Sequence, residues 1–146
     1  MTELEDIPEP DRAEGVPHPR MAPRVFGQNT AEAAFLDAFT SGRFHHAWLI
    51  TGPRGVGKAT LAWRLARFLL ARPADAGGGL FGDAPPAPDS LDTPEDHPVT
   101  RHVHALSEPR LALVRRGWDF KHKRLKTQLT VEEVRELNRF FGLSAS

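Results

Sequence analysis

The chain has 146 residues, 40% of them hydrophobic and 26% charged, and its 19 basic and 19 acidic side chains cancel to a formal net charge of zero. These values suit one globular domain with a single core and exclude a global field that would draw the whole molecule to nucleic acid. The cysteine-free sequence excludes disulfides, thiol catalysis and cysteine-ligated zinc, and no apolar run reaches the roughly 18 residues of a membrane span.

The opening stretch MTELEDIPEPDRAEG is acidic and proline-containing, the reverse of a secretory signal, so a soluble, cytoplasmic protein with no membrane partner is expected. Residues 1–22 carry four prolines (Pro8, Pro10, Pro17 and Pro19), many charges and almost no large apolar side chains. Burial there cannot offset the entropy of ordering, and a disordered tail is expected. Order is expected over residues 23–146. Asn29 reads as a helix cap with Glu32 placed to reach back to it, followed by the apolar stripe Ala33, Ala34, Phe35, Leu36, Ala38 and Phe39 and a stop at Gly42. Ala47–Ile50 is an uninterrupted apolar run between polar and glycine residues, which predicts a strand buried on both faces of a parallel sheet. After a glycine-rich loop, Leu61, Ala62, Leu65, Ala66, Phe68 and Leu69 cover most of a helix, which is therefore expected to be largely internal.

Residues 73–98 contain six prolines and four glycines among 26 positions and read as a flexible insertion with no secondary structure. Beyond it, RLALVRR predicts a strand and GWDFKHKRLKTQL a turn with a second strand. Thr130 with Glu133 forms another capping-box pattern, opening a helix whose Val131, Val134, Leu137, Phe140 and Phe141 share one face, with Gly142 as its stop.

The chemistry is concentrated in Gly52, Pro53, Arg54, Gly55, Val56, Gly57, Lys58, Ala59 and Thr60. Their order matches a phosphate-binding loop, G-x-x-x-x-G-K-[ST], at every position but the last. Glycines let backbone N–H groups turn inward around phosphate oxygens, the following helix adds its N-terminal partial positive charge, and the lysine reaches the β- and γ-phosphates. The expected flanks, a buried strand before and an apolar helix after, strengthen the match. Ala59 is the departure. A methyl cannot coordinate Mg²⁺, and phosphoryl transfer relies on that ion. Thr60 carries a hydroxyl one residue late, about 100° further around the helix and 1.5 Å along it. No apolar run leads into an acidic pair that would hold Mg²⁺ and orient water, since LALV runs into Arg115 and Arg116. The residues themselves therefore point to a nucleotide held but not cut, with no catalytic residue and no metal ligand.

VFGQNTAEAAFLDAF, GRFHHAWLITGPRGVGKATLAWRLARFLLAR and RGWDFKHKRLKTQLTVEEVRELNRFFGLSAS together resemble the delta-prime subunits of the bacterial DNA polymerase III clamp loader. The likeness covers roughly residues 21–72 and 97–146, and the His45-His46-Ala47-Trp48 lead into the loop is its most specific part. It implies an α/β fold, a P-loop NTPase of the AAA+ type, in which a mainly parallel sheet forms the middle of a three-layer sandwich. It also implies DNA replication as the setting, inside the DNA polymerase III holoenzyme, a DNA-directed DNA polymerase. Other clamp-loader subunits would be partners, with the sliding clamp and primed DNA reached through the complex. Delta-prime subunits are usually poor or non-hydrolysing members, which Ala59 fits. On this likeness Gly52, Gly55, Gly57 and Lys58 cradle phosphate and Gly27 and Gln28 lie near the nucleotide base. ATP is the implied ligand, in a weak or vestigial site, and Mg²⁺ is left open. The cysteine-ligated zinc module of many relatives is replaced by a proline- and glycine-rich stretch, so no zinc is expected. The family continues past this point into an acidic strand, a lid and a collar, so residue 146 reads as a truncation.

His97, His102 and His104 match no common zinc spacing and read as solvent-exposed loop residues. Residues 115–126 hold six Lys or Arg and one Asp, with Trp118 and Phe120 among them. That pattern fits a grip on a phosphate backbone, or a solvated hairpin whose aromatic rings pack inward or against a neighbouring subunit. Trp48 and Trp63 read as core. The alternative function is an active small P-loop NTPase or kinase in which Thr60 replaces the missing hydroxyl.

Overall fold

A computed structural model describes residues 7–72 and 86–143. The chain divides into two compact units, one of Pro19–Glu108 and the other of residues 1–18 with 109–146.

The first unit is built on two helices, α1 (Asn29–Thr40) and α2 (Lys58–Leu70), with a shorter α3 (Pro98–His104) and a single 3₁₀ turn at Pro19–Met21. Phe35 of α1 and Leu61, Leu65 and Phe68 of α2 are buried together with Leu91, and Val25, Leu36, Phe39, Ile50 and Leu69 pack around them. The rings meet edge to face: Phe68 lies 6.2 Å from Phe35 and 5.0 Å from Phe39, the geometry that aromatic quadrupoles favour. The Arg72 guanidinium closes this cluster, 3.4 Å above the centre of the Phe68 ring.

Helix α2 is internal, as its composition predicts, but on more than its apolar side. Trp63 and Arg67, four residues apart and so on one face, are also buried. Arg67 is only 4% exposed, and its two terminal nitrogens donate to the carbonyls of Arg20 and Ala22, each at 2.7 Å. These bonds tie down the Pro19–Met21 turn. Within the stretch expected to be a tail, a buried guanidinium thus supplies anchoring that apolar side chains do not. Arg20 in turn donates to the His104 carbonyl at 3.0 Å, joining the turn to α3.

Leu91 lies in the proline-rich stretch 73–98 that composition reads as a flexible insertion. Its positions 73–85 lie outside the described residues, but Leu91 is a core residue, and Asp92 accepts from Arg64 at 2.9 Å. One leucine and one ion pair fasten a stretch whose composition signals only flexibility. Pro98, the last residue of that stretch, opens α3, where a missing N–H costs nothing. The caps differ as well. Glu32 does not reach back to the start of α1, which has no side-chain cap; it is paired with Arg64 instead. A charged donor from a neighbouring helix outcompetes the local amide.

The parallel sheet is where sequence and structure part. Among the described residues the only strands are β1 (Trp118–Asp119) and β2 (Arg124–Leu125), an antiparallel pair in the second unit with Trp118 opposite Leu125 and Asp119 opposite Arg124. Ala47–Ile50 forms no strand, with Trp48 42% and Leu49 89% exposed, so it is not a strand buried on both faces and Trp48 is not core. A parallel strand exists only through neighbours brought alongside by crossover connections, and the described residues supply none. The three-layer sandwich is accordingly not formed among them. Arg110–Arg116 is likewise no strand: Arg115 pairs with Glu9 at 3.3 Å and with Asp11 at 3.0 Å.

The second unit ends in α4 (Val131–Leu143), which opens as the capping pattern predicts: Glu133 accepts the Thr130 amide at 2.6 Å. The helix runs through Gly142 rather than stopping there. No helix among the described residues is long and apolar enough to cross a membrane.

Candidate phosphate-binding loop

Residues 51–57 form the connection into α2 and stay largely exposed. The loop is shaped by three glycines with positive φ: Gly52 at 148°, Gly55 at 86° and Gly57 at 90°. Gly57 is the most constrained of them. It is the left-handed residue immediately before α2, and a Cβ there would lie 3.0 Å from Val25 Cγ2. Both the backbone angle and the space thus demand glycine at this position.

No side chain caps α2. Its first-turn amides, from Lys58 onwards, therefore point out of the helix without an intrahelical acceptor, and the helix dipole adds positive potential at the same place. An anion is the natural complement. Lys58 folds its Nζ back over the loop, donating to the carbonyls of Gly52 at 2.9 Å and Pro53 at 2.5 Å. The ammonium is thereby held on the mouth of the loop. Gln28 is drawn to the same place: its Nε2 donates to the Val56 carbonyl at 2.8 Å, fixing the loop to the start of α1. Gly27, beside it, takes a φ of 70° to make the turn.

The structure thus brings Gly52, Pro53, Gly55, Val56, Gly57, Lys58 and Gln28 into one constellation. Ala59 and Thr60 occupy the first turn of α2 and are half-buried. Ala59 offers no oxygen. The groups the loop presents are backbone amides and the Lys58 ammonium.

The histidines are not free loop residues. His97 caps α3, its Nδ1 accepting the Val99 amide at 3.2 Å, while His102 and His104 lie on the helix itself. Burial first, then the charges of Arg67 and Arg20, hold His104 below its ordinary pKa. Composition gave no sight of the Arg64 and Arg67 anchors. The available signal was two arginines inside an otherwise apolar helix, which must find acceptors if that helix is internal.

Comparison with known proteins places these residues in context. A stretch of 51 residues, 35% of the chain, is 41% identical to the DNA polymerase III subunit gamma of Buchnera aphidicola subsp. Schizaphis graminum. A longer stretch of 77 residues, 49% of the chain, is 39% identical to the DNA polymerase III subunit gamma/tau of Mycobacterium tuberculosis. The chain spans 13–14% of the length of these two relatives. No family model matches, and no solved structure does. The likeness carries a relation to subunits of DNA polymerase III, and the narrower assignment to delta-prime lies beyond it.

Proposed function

We propose that this chain is part of a clamp-loader subunit of the DNA polymerase III type, acting in DNA replication, and that its Gly52–Thr60 loop holds a nucleotide, ATP, without hydrolysing it. The observation that carries this reading is the uncapped N-terminus of α2 behind a left-handed Gly57, with Lys58 Nζ on the loop mouth. The phosphates would be received by the first-turn amides of α2 and the loop amides. Lys58 would exchange two neutral carbonyl acceptors for charged phosphate oxygens, a stronger hydrogen bond. Gln28, by holding Val56, would keep the loop in shape and mark the side on which the base lies. Ala59 supplies no ligand for Mg²⁺, so no hydrolytic step is assigned to the loop. The delta-prime role, that of a rigid member among active neighbours that helps place the sliding clamp on primed DNA, fits a loop built to bind and not to cut.

Titration of a fluorescent ATP analogue, with and without Mg²⁺, tests the reading. Binding that is weak, little changed by Mg²⁺ and reduced at least about tenfold by Lys58→Ala is expected, the loss of one charge-assisted phosphate contact. Mg²⁺-dependent phosphate release abolished by Lys58→Ala would instead establish an active NTPase working through Thr60. Binding indifferent to Lys58→Ala would remove the loop from the site altogether.

A further inference from the structure

We propose that the tip of the β1–β2 hairpin is a contact for single-stranded nucleic acid, with Phe120 stacking on a base and Lys121, Lys123 and Arg124 meeting phosphates. The sequence shows six cations over residues 115–126 without ranking them. The structure ranks them. Arg115 is committed to Glu9 and Asp11, and Lys126 to Glu133 at 3.0 Å. Arg116 donates to the Lys126 carbonyl at 3.3 Å. Lys121, Lys123 and Arg124 are exposed, and none has a carboxylate partner among the described residues.

The carboxylate closest to them in the chain, Asp119, lies opposite Arg124 in the strand pair and forms no ion pair with any of the three. Asp119 is engaged by His122 Nδ1 at 2.7 Å and by the amides of Lys121 and His122 at 3.0 and 3.2 Å, so it folds the turn. Lys123 holds the turn in a left-handed conformation, with φ of 47°. The two aromatic rings separate in the same way. Trp118 is half-buried opposite Leu125, whereas Phe120 is 67% exposed beside the cations. A flat apolar ring flanked by three cations without an ion-pair partner among the described residues is the pairing that takes a base and its phosphates. An anionic bilayer would meet the same charges, but a single ring offers little of the apolar area on which membrane insertion depends. This inference stands apart from the nucleotide loop.

Anisotropy of labelled oligo-dT across a salt series, with the full chain, is the test. The Lys121→Ala/Lys123→Ala/Arg124→Ala variant is expected to bind at least about tenfold more weakly and to lower the slope of log affinity against log salt by about 2, at roughly 0.7 per phosphate on single strands. Phe120→Ala is expected to lose about 5- to 150-fold with its slope unchanged, and Phe120→Tyr, which keeps the ring, to bind as the wild type. Arg101→Ala, an exposed change on α3, and Lys58→Ala should leave oligo-dT binding intact, which separates this contact from the nucleotide loop. Affinity untouched by the hairpin variants, undetectable binding, or charge-dependent binding to phosphatidylserine vesicles alone would each overturn the proposal.

Discussion

In residues 19–108 the Phe68 ring meets Phe35, Phe39 and the Arg72 guanidinium, and no part of Phe68 is exposed. In the unit of residues 7–18 and 109–143, helix α4 leaves Val131, Val134 and Phe141 in solvent, and charged pairs hold the chain: Arg115 with Glu9 and Asp11, and Lys126 with Glu133. The first unit gains from removing apolar surface from water, at about 25 cal/mol per Å². The second relies on pairs that are each worth about 0–1 kcal/mol at a surface and weaken with salt. The contrast teaches that the glycine loop of residues 51–57 rests on the more robust half. Its two anchors, Gln28 and Val25, flank and feed α1, whose Phe35 is a core residue.

Truncation should expose this contrast most strongly. Phe68→Ala is expected to cost about 3–5 kcal/mol in urea denaturation, while Val134→Ala, already exposed, should stay within about 0.5 kcal/mol. Equal costs would mean that α4 is covered in solution and the comparison is broken. Arg67→Met comes next. It keeps much of the side-chain volume but leaves the carbonyls of Arg20 and Ala22 without their donor, a loss of about 1–3 kcal/mol. The sharper readout is hydrogen exchange at the Ala22 amide, which bonds to the Pro19 carbonyl at 3.1 Å and should lose protection when the turn is released.

Gly57→Ala is smaller in stability and larger in function. A φ of 90° is disfavoured for alanine by about 1–2 kcal/mol, and the new methyl would meet Val25 at 3.0 Å. The loop is expected to shift away from α2 and to bind the ATP analogue more weakly, with the core transition nearly unchanged. Val25→Ala in the same background should recover part of the binding by opening the space. No recovery would assign the loss to the backbone angle alone.

Much of the first unit was legible because burial leaves a periodic trace: Phe35 with Phe39, and Leu61, Leu65 and Phe68, are spaced as helix faces. The turn of the loop was legible because it is local: Gly52, Gly55 and Gly57 all take the positive φ that glycine allows. What escaped was non-local. Nothing in PRM announces that Arg67 will donate to the Arg20 carbonyl and to that of Ala22 beyond it, and Glu32 reads as a capping residue until Arg64 arrives from another helix. Leu91 is one leucine among prolines, invisible to any window average. Ala47–Ile50 shows the converse: an apolar run states that a strand could be buried there, while pairing is decided by other segments.

The smallest expected effect bears on the second unit alone and depends on pH. Glu133 is held at about 2, down from 4.5, chiefly by the Thr130 hydroxyl and then by the Lys126 ammonium and the Thr130 amide. A carboxyl depressed in the folded state binds its proton more readily when unfolded, so its contribution is full above about pH 4.5 and is lost as pH falls through 2. Asp92 is also depressed, by Arg64, which gives the first unit a weaker sensitivity of the same sign. Amides in the first turns of α4 should therefore lose exchange protection in acid before those of α2, and Glu133→Gln should flatten that early loss without moving α2. If α2 and α4 open together at every pH, the two units share one cooperative transition, and the charged half is stabilised by the apolar half rather than by its own pairs.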